Sequence, residues 1–142
     1  MRSSVHVDAP VKRAWNRIAD ASHWPDWSEV CTEVWDVPGQ LHWRVGDTFG
    51  FRLKMANRNV PFNVTISRFE TGTIIQWKST KFSVTAVRSI VVTEEDKGCR
   101  ITDSKHFTSS VLPIRVAYPK RLIRRMTESW LMELKRESES IS

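Results

Sequence analysis

The C-terminal stretch limits the fold more than any other part of the chain. Tyr118, Leu122, Met126, Trp130 and Leu134 stand at strict i+4 spacing, and Ile123 and Leu131 widen the stripe. Lys120, Arg121, Arg124, Arg125 and Glu128 take the other face. Positions four apart share one side of a helix, so the spacing predicts an amphipathic helix of roughly 20–25 residues, about 30–38 Å long. Pro113 opens the stretch, and Pro119 is expected in the first helical turn or at a kink, because proline cannot donate the helical hydrogen bond. A helix of this kind must bury its stripe against another surface.

The residues before it supply that surface. Val5-His6-Val7 alternates as a short first strand, and Asp8-Ala9-Pro10 reads as a helix start with Asp8 as the cap. Val11, Ala14, Trp15 and Ile18 give a first helix ending near Asp20, and Ser22 to Trp27 a second, very short one. Strands follow. Val30–Val37 is the first of them; Phe49, Phe51, Leu53 and Met55 alternate next, and Asn57-Arg58-Asn59 makes a turn. Val60, Phe62, Val64 and Ile66 alternate again up to the break at Glu70-Thr71-Gly72. Thr73–Ser79, Ser83–Thr93 and Cys99–Thr108 complete the series, the last two joined by a hairpin at Glu94–Gly98. Short turns between successive strands imply an antiparallel meander. The prediction is an α+β fold: a curved antiparallel sheet of six to seven strands around a long C-terminal helix, with two short helices after the first strand.

The 142 residues are expected to form a single domain, 1–142. Seven Trp, six Phe and no low-complexity tract exclude global disorder. No apolar run reaches the ~20 residues of a membrane helix. No long apolar segment follows Arg2, so no secretory signal and a cytoplasmic location are expected. On that reading Asn63-Val64-Thr65 is a chance sequon inside a strand. Cys31 and Cys99 lie far apart with no histidine at metal-ligand spacing, so buried thiols are expected, and neither a metal nor a cofactor. Much of the net charge of +6 comes from Arg115, Lys120, Arg121, Arg124, Arg125, Lys135 and Arg136. No aromatic side chains interleave with these bases, which reads as a solvated face with no nucleic-acid partner.

In combination, several segments resemble the START and birch-pollen-allergen-like superfamily, also called SRPBCC, in its polyketide cyclase/dehydrase-like branch. The carriers are Val7-Asp8-Ala9-Pro10 before Ala14-Trp15, then Trp24-Pro25-Asp26-Trp27, then Val45-Gly46-Asp47-Thr48-Phe49. The Trp77 strand, the Gly98 hairpin and the long terminal helix complete the likeness, which runs nearly end to end. It implies a helix-grip fold whose sheet and helix enclose a cavity for a hydrophobic small molecule. It implies no universal catalytic residue, and oligomeric state is left open.

Alternation puts Phe49, Phe51, Leu53, Phe62, Val64, Ile75, Trp77 and Phe107 on the concave face, with Leu122, Met126 and Trp130 from the helix. Periodicity alone fits a filled core as well as a cavity wall; the resemblance points to the cavity. Ile101, Asp103, Lys105 and Phe107 share one face of their strand, and Arg100, Thr102, Ser104 and His106 the other. Asp103 and Lys105 therefore point inward unless a bulge shifts the register or both reach the wet rim. Inside, they would orient a polar head or serve as acid and base, with Gln76 and Tyr118 as further polar candidates. His106 is expected to face solvent, and His6, His23 and His42 have no acidic partner at a suggestive spacing. Trp24 and Trp27 either border the cavity mouth or plug one end. The expected function is binding of a lipid-, polyketide- or aromatic-like molecule; the alternative is a cyclase or dehydratase acting in the same cavity.

Overall fold

Seven strands form one antiparallel sheet in the spatial order β1-β7-β6-β5-β4-β3-β2. The structure is a computed structural model describing residues 1–38, 42–81, 83–109 and 119–140. The strands are β1 (Arg2–Val7), β2 (Cys31–Trp35), β3 (Thr48–Met55), β4 (Arg58–Glu70), β5 (Ile74–Lys81), β6 (Val84–Glu95) and β7 (Gly98–Ser109). Between β1 and β2 lie α1 (Val11–Ala19), a 3-10 turn (Ala21–His23) and α2 (Trp24–Trp27); the C-terminal helix is α3 (Lys120–Glu139). Strands β2 to β7 pair with their sequence neighbours, and β1 adds to the free edge of β7. The curled sheet is a half-barrel around α3. Bulges between Cys31 and Glu33 and between Ile66 and Arg68 interrupt the ladders, and a bulge bends a strand and increases its twist.

The predicted stripe of α3 is buried at Ile123, Trp130, Leu131 and Leu134, while Leu122 and Met126 are half-buried. Pro119 is the residue before the first helical turn, and its carbonyl accepts the Ile123 N–H at 3.1 Å. Pro113 and Tyr118 lie outside the described residues. Helix α3 packs on β1, α1 and α2.

Asp8 is not the cap of α1. That position belongs to Pro10, whose carbonyl accepts from Arg13 and Ala14. Asp8 is used elsewhere: its backbone N–H donates to Glu139 Oε2 at 2.8 Å and its carboxylate meets His6. The turn expected at Asn57–Asn59 falls instead at Ala56-Asn57, because β4 starts at Arg58, opposite Met55. This register keeps Phe51 opposite Phe62.

Tryptophans fasten the short helices to the sheet. The Trp24 indole N–H reaches the carbonyls of Arg17 and Ile18, and that of Trp43 the carbonyl of Ala19. These carbonyls end α1 and lack helical partners, so the indoles satisfy what would otherwise be orphan acceptors. Gly50 is required by close approach: a Cβ there would overlap the Trp35 indole from β2. At Gly98 a Cβ would overlap the Val7 carbonyl. Pro61 sits in the half of β4 that pairs with β3, ahead of the Thr65–Glu70 segment that pairs with β5. A proline fits there because no second strand needs its missing N–H.

Candidate functional site

The concave face and α3 enclose a cavity at one end of the grip. The C-terminal ends of β3, β5 and β7 and the N-terminal ends of β4 and β6 meet there, as antiparallel pairing requires. Phe51, Leu53, Met55, Phe62, Trp77, Ala86 and Phe107 come from these strands, and Ile123, Met126 and Trp130 from α3. Trp24, Val30 and Cys31 complete the apolar wall. The cavity volume is about 90 Å³. Its inner end is closed by Trp24, whose ring lies 5.8–6.2 Å from Phe49, Phe51, Trp77 and Trp130. Trp27 packs on Trp130 from outside, 5.8 Å between rings.

A charged cluster interrupts this apolar lining. Asp103 on β7 has a fully buried side chain. Arg88 on β6 donates to its Oδ2 through Nε at 2.9 Å and Nη2 at 2.6 Å. Lys105 Nζ donates to Oδ1 at 2.8 Å and to Thr127 Oγ1 at 2.5 Å. Thr127 in turn donates to the Ile123 carbonyl, which ties the cluster to α3. The Arg88 guanidinium lies 5.2 Å from the Trp77 ring centre and 4.8 Å from that of Trp130, a cation–π sandwich. Burial works to raise the Asp103 pKa, but Arg88 and Lys105 hold it below the usual carboxylate range. Burial, helped by Arg88, brings the Lys105 ammonium down to about 8 against the pull of Asp103.

Of the side chains singled out in the sequence, Phe51, Phe62, Trp77, Lys105, Phe107, Met126 and Trp130 border the cavity. Phe49, Val64 and Ile75 lie deeper in the packed core, Asp103 sits behind Arg88 and Lys105, and Leu122 is half-buried away from the lining. Gln76 does not face the cavity: it accepts from Ser67 and donates to Ser89, on the strand face opposite Trp77. The β6–β7 ladder runs unbroken from Val84 opposite Ser109 to Glu95 opposite Gly98. With no bulge there, Asp103 and Lys105 point inward, Asp103 buried and ion-paired rather than at a wet rim. Arg88 is the member that the sequence reading missed. Its signal is a lone Arg in the period-two set Val84, Ala86, Arg88, Ile90, Val92.

Other polar groups fall elsewhere. His106 is exposed. His6 and His23 do have acidic partners, contrary to the sequence reading: His6 meets Glu95 at 2.5 Å and Asp8 at 3.0 Å, and His23 meets Asp26 at 2.8 Å. β7 lies between β1 and β6 and brings His6 within reach of Glu95, while Asp8 follows β1 directly in the chain. Both cysteines are buried and free, and burial pushes the Cys31 thiol up to about 12, which leaves it protonated. Among the described residues no three His, Cys, Asp or Glu side chains gather as a metal site, and no helix is long and apolar enough to cross a membrane. Lys120, Arg121, Arg124 and Arg125 are exposed on α3.

A half-barrel gripping a C-terminal helix, with its cavity between the two, defines the helix-grip class. Residues 1–139 match the family described as polyketide cyclase / dehydrase and lipid transport, and the chain belongs to that family, within the SRPBCC superfamily. No curated protein matches the chain. Solved structures share the fold at low identity. Protein CV1439 from Chromobacterium violaceum is 15% identical with a TM-score of 0.78, covering 99% of this chain and 98% of its own. The Zhui aromatase/cyclase from Streptomyces sp. R1128 is 12% identical with a TM-score of 0.77, covering 98% and 92%. Major latex-like protein 151 from Panax ginseng is 10% identical with a TM-score of 0.79, covering 99% and 97%. Family and fold together support a hydrophobic-ligand-binding or polyketide-cyclase-type protein.

Proposed function

We propose that the chain, acting as one domain over residues 1–142, binds a hydrophobic small molecule in the cavity between the sheet and α3. The observation that carries this is an apolar, aromatic and Met-bearing wall around space that the described residues leave unfilled. Burying a ligand's apolar surface there favours binding by about 25 cal/mol per Å² before ordering costs. The half-buried Met126 and Met55 suit a wall that adapts to its guest. Localisation in the cytoplasm fits this reading.

The test uses the neutral fluorescent probe N-phenyl-1-naphthylamine. Saturable binding is expected, with quenching of the tryptophan emission, because Trp24, Trp77 and Trp130 border the site. The filling variant Ala86→Trp is expected to abolish it while the protein keeps its melting temperature. Binding unaffected by Ala86→Trp would sink the proposal.

One observation favours catalysis as a second reading: a cavity-lining lysine brought down to about 8 is near the working range of an acid–base group. Under it, Lys105→Met abolishes turnover of a polyketide-like substrate. Under the binding reading, Lys105→Met changes affinity for a neutral ligand only modestly.

A further inference from the structure

The charges around the cavity do not balance. Arg88 and Lys105 border it, no carboxylate among the described residues does, and Asp103 behind them carries one negative charge against their two positive ones. The residues outside the described ones, 39–41, 82, 110–118 and 141–142, contain no Asp or Glu side chain that could supply the missing charge. The ladder places Arg88 directly opposite Lys105, and like charges facing each other across strands destabilise a sheet. Stability needs only one cation for Asp103, and even a buried pair is weak evidence of a stability role. The indole faces of Trp77 and Trp130 offset part of the cost of Arg88, and Thr127 accepts from Lys105, but no second carboxylate matches the second cation.

The geometry shows what would offset it. Asp103 Oδ2 accepts twice from Arg88 and Oδ1 once from Lys105, and the carboxylate is fully buried behind these two cations and does not border the cavity, so the groups that meet a ligand there are the cations. Among the described residues Lys105 Nζ has two acceptors, Asp103 and Thr127, for its three hydrogens. The cluster thus offers donors and a net positive charge at the foot of an apolar wall. From this we infer that the natural ligand is an apolar organic acid: a hydrophobic body lying along Phe51, Phe62, Phe107 and Met126, and a single anionic headgroup meeting Lys105 and Arg88. This inference rests on the cavity being the binding site and names the ligand class it takes.

A pair of probes that differ only in the anion tests it: N-phenyl-1-naphthylamine and its sulfonate, 1-anilinonaphthalene-8-sulfonate. A hydrogen bond to a charged group predicts that the sulfonate binds about 10- to 100-fold more tightly. Lys105→Met leaves the balanced Arg88–Asp103 pair, so its fold should survive, as its melting temperature will show. In that variant the preference should collapse towards parity while the neutral probe's affinity changes only modestly; Lys105→Gln should behave alike. Decanoate should likewise displace the neutral probe more strongly than decanol does. Equal affinities in the unaltered protein, both lost in Ala86→Trp, would overturn the anion inference and leave the cavity standing. A sulfonate preference that persists in Lys105→Met would also overturn it, because the charge imbalance that Lys105 creates would then not be its source. Binding of neither probe that Ala86→Trp can block would instead remove the cavity reading itself.

Discussion

The two ends of the grip are built from the same sequence patterns and packed to opposite effect. At the inner end α1, the 3-10 turn and α2 lie over the sheet, and Val7, Ile18, Ile101 and Leu134 are fully buried. At the outer end Leu53, Met55, Phe62, Phe107 and Met126 are only half-buried around free space. Alternating strands and an i+4 stripe run through both. The difference is the covering: α1 and α2 close one end, while on the other only the first turns of α3 stand among the described elements over the sheet. The boundary falls at Trp24 and Trp130, with the charged cluster just on the open side.

The charged cluster should give the largest effect. Asp103→Asn leaves two buried cations facing each other, and breaking a buried pair in this way costs about 3–5 kcal/mol; urea unfolding will measure it. The two ends can then be compared by matched truncations. Leu134→Ala opens a hole in packed structure and should cost about 2–5 kcal/mol, whereas Met126→Ala widens a space already open and should fall at or below about 2 kcal/mol. Equal losses would break the contrast between the ends.

The next effect is in pH. Lys105 titrates near 8 in the folded protein against an ordinary 10.5, so between those values the unfolded chain binds the extra proton. Stability from this group therefore rises with pH through that window, as the buried charge is relieved. Unfolding curves on either side of pH 8 should show the rise, and Lys105→Met should flatten it. If the headgroup inference holds, the preference for the sulfonate probe should decline over the same range. Smallest is the His6 cluster on the inner end's surface. Its hydrogen bond to Glu95, then that to Asp8, raises the imidazole above 6.5. That contribution is fully present below 6.5 and is lost as pH rises through the folded value. His6→Asn should remove this slope from a melting series and leave probe binding untouched.

Legibility in the sequence followed the strength of the periodic signal. The alternation from Phe49 to Met55 and the stripe from Leu122 to Leu134 yielded β3 and α3 directly. In β6 both faces read as apolar, so the pattern could not say which one Arg88 joined or whether a bulge lay within Ser83–Thr93. Asp103 and Lys105 were visible on the inward face of their strand, but their partner was not, because Arg88 lies 15 residues before Asp103. Gln76 was misread because a polar residue beside Trp77 in sequence points to the opposite face of the strand.

What the sequence determined by itself is therefore local and periodic: strands, helices, their order, and an antiparallel sheet that must cover a helical stripe. Those features depend on neighbours within a few residues, whose backbone geometry repeats along the chain. Only the tertiary structure decided which end of the grip is filled, which hydrophobic residues border open space, and that two cations share one buried carboxylate. These depend on cross-strand register and on where α1 and α2 come to rest. Both bring together residues far apart in the chain, whose packing no single segment's pattern encodes.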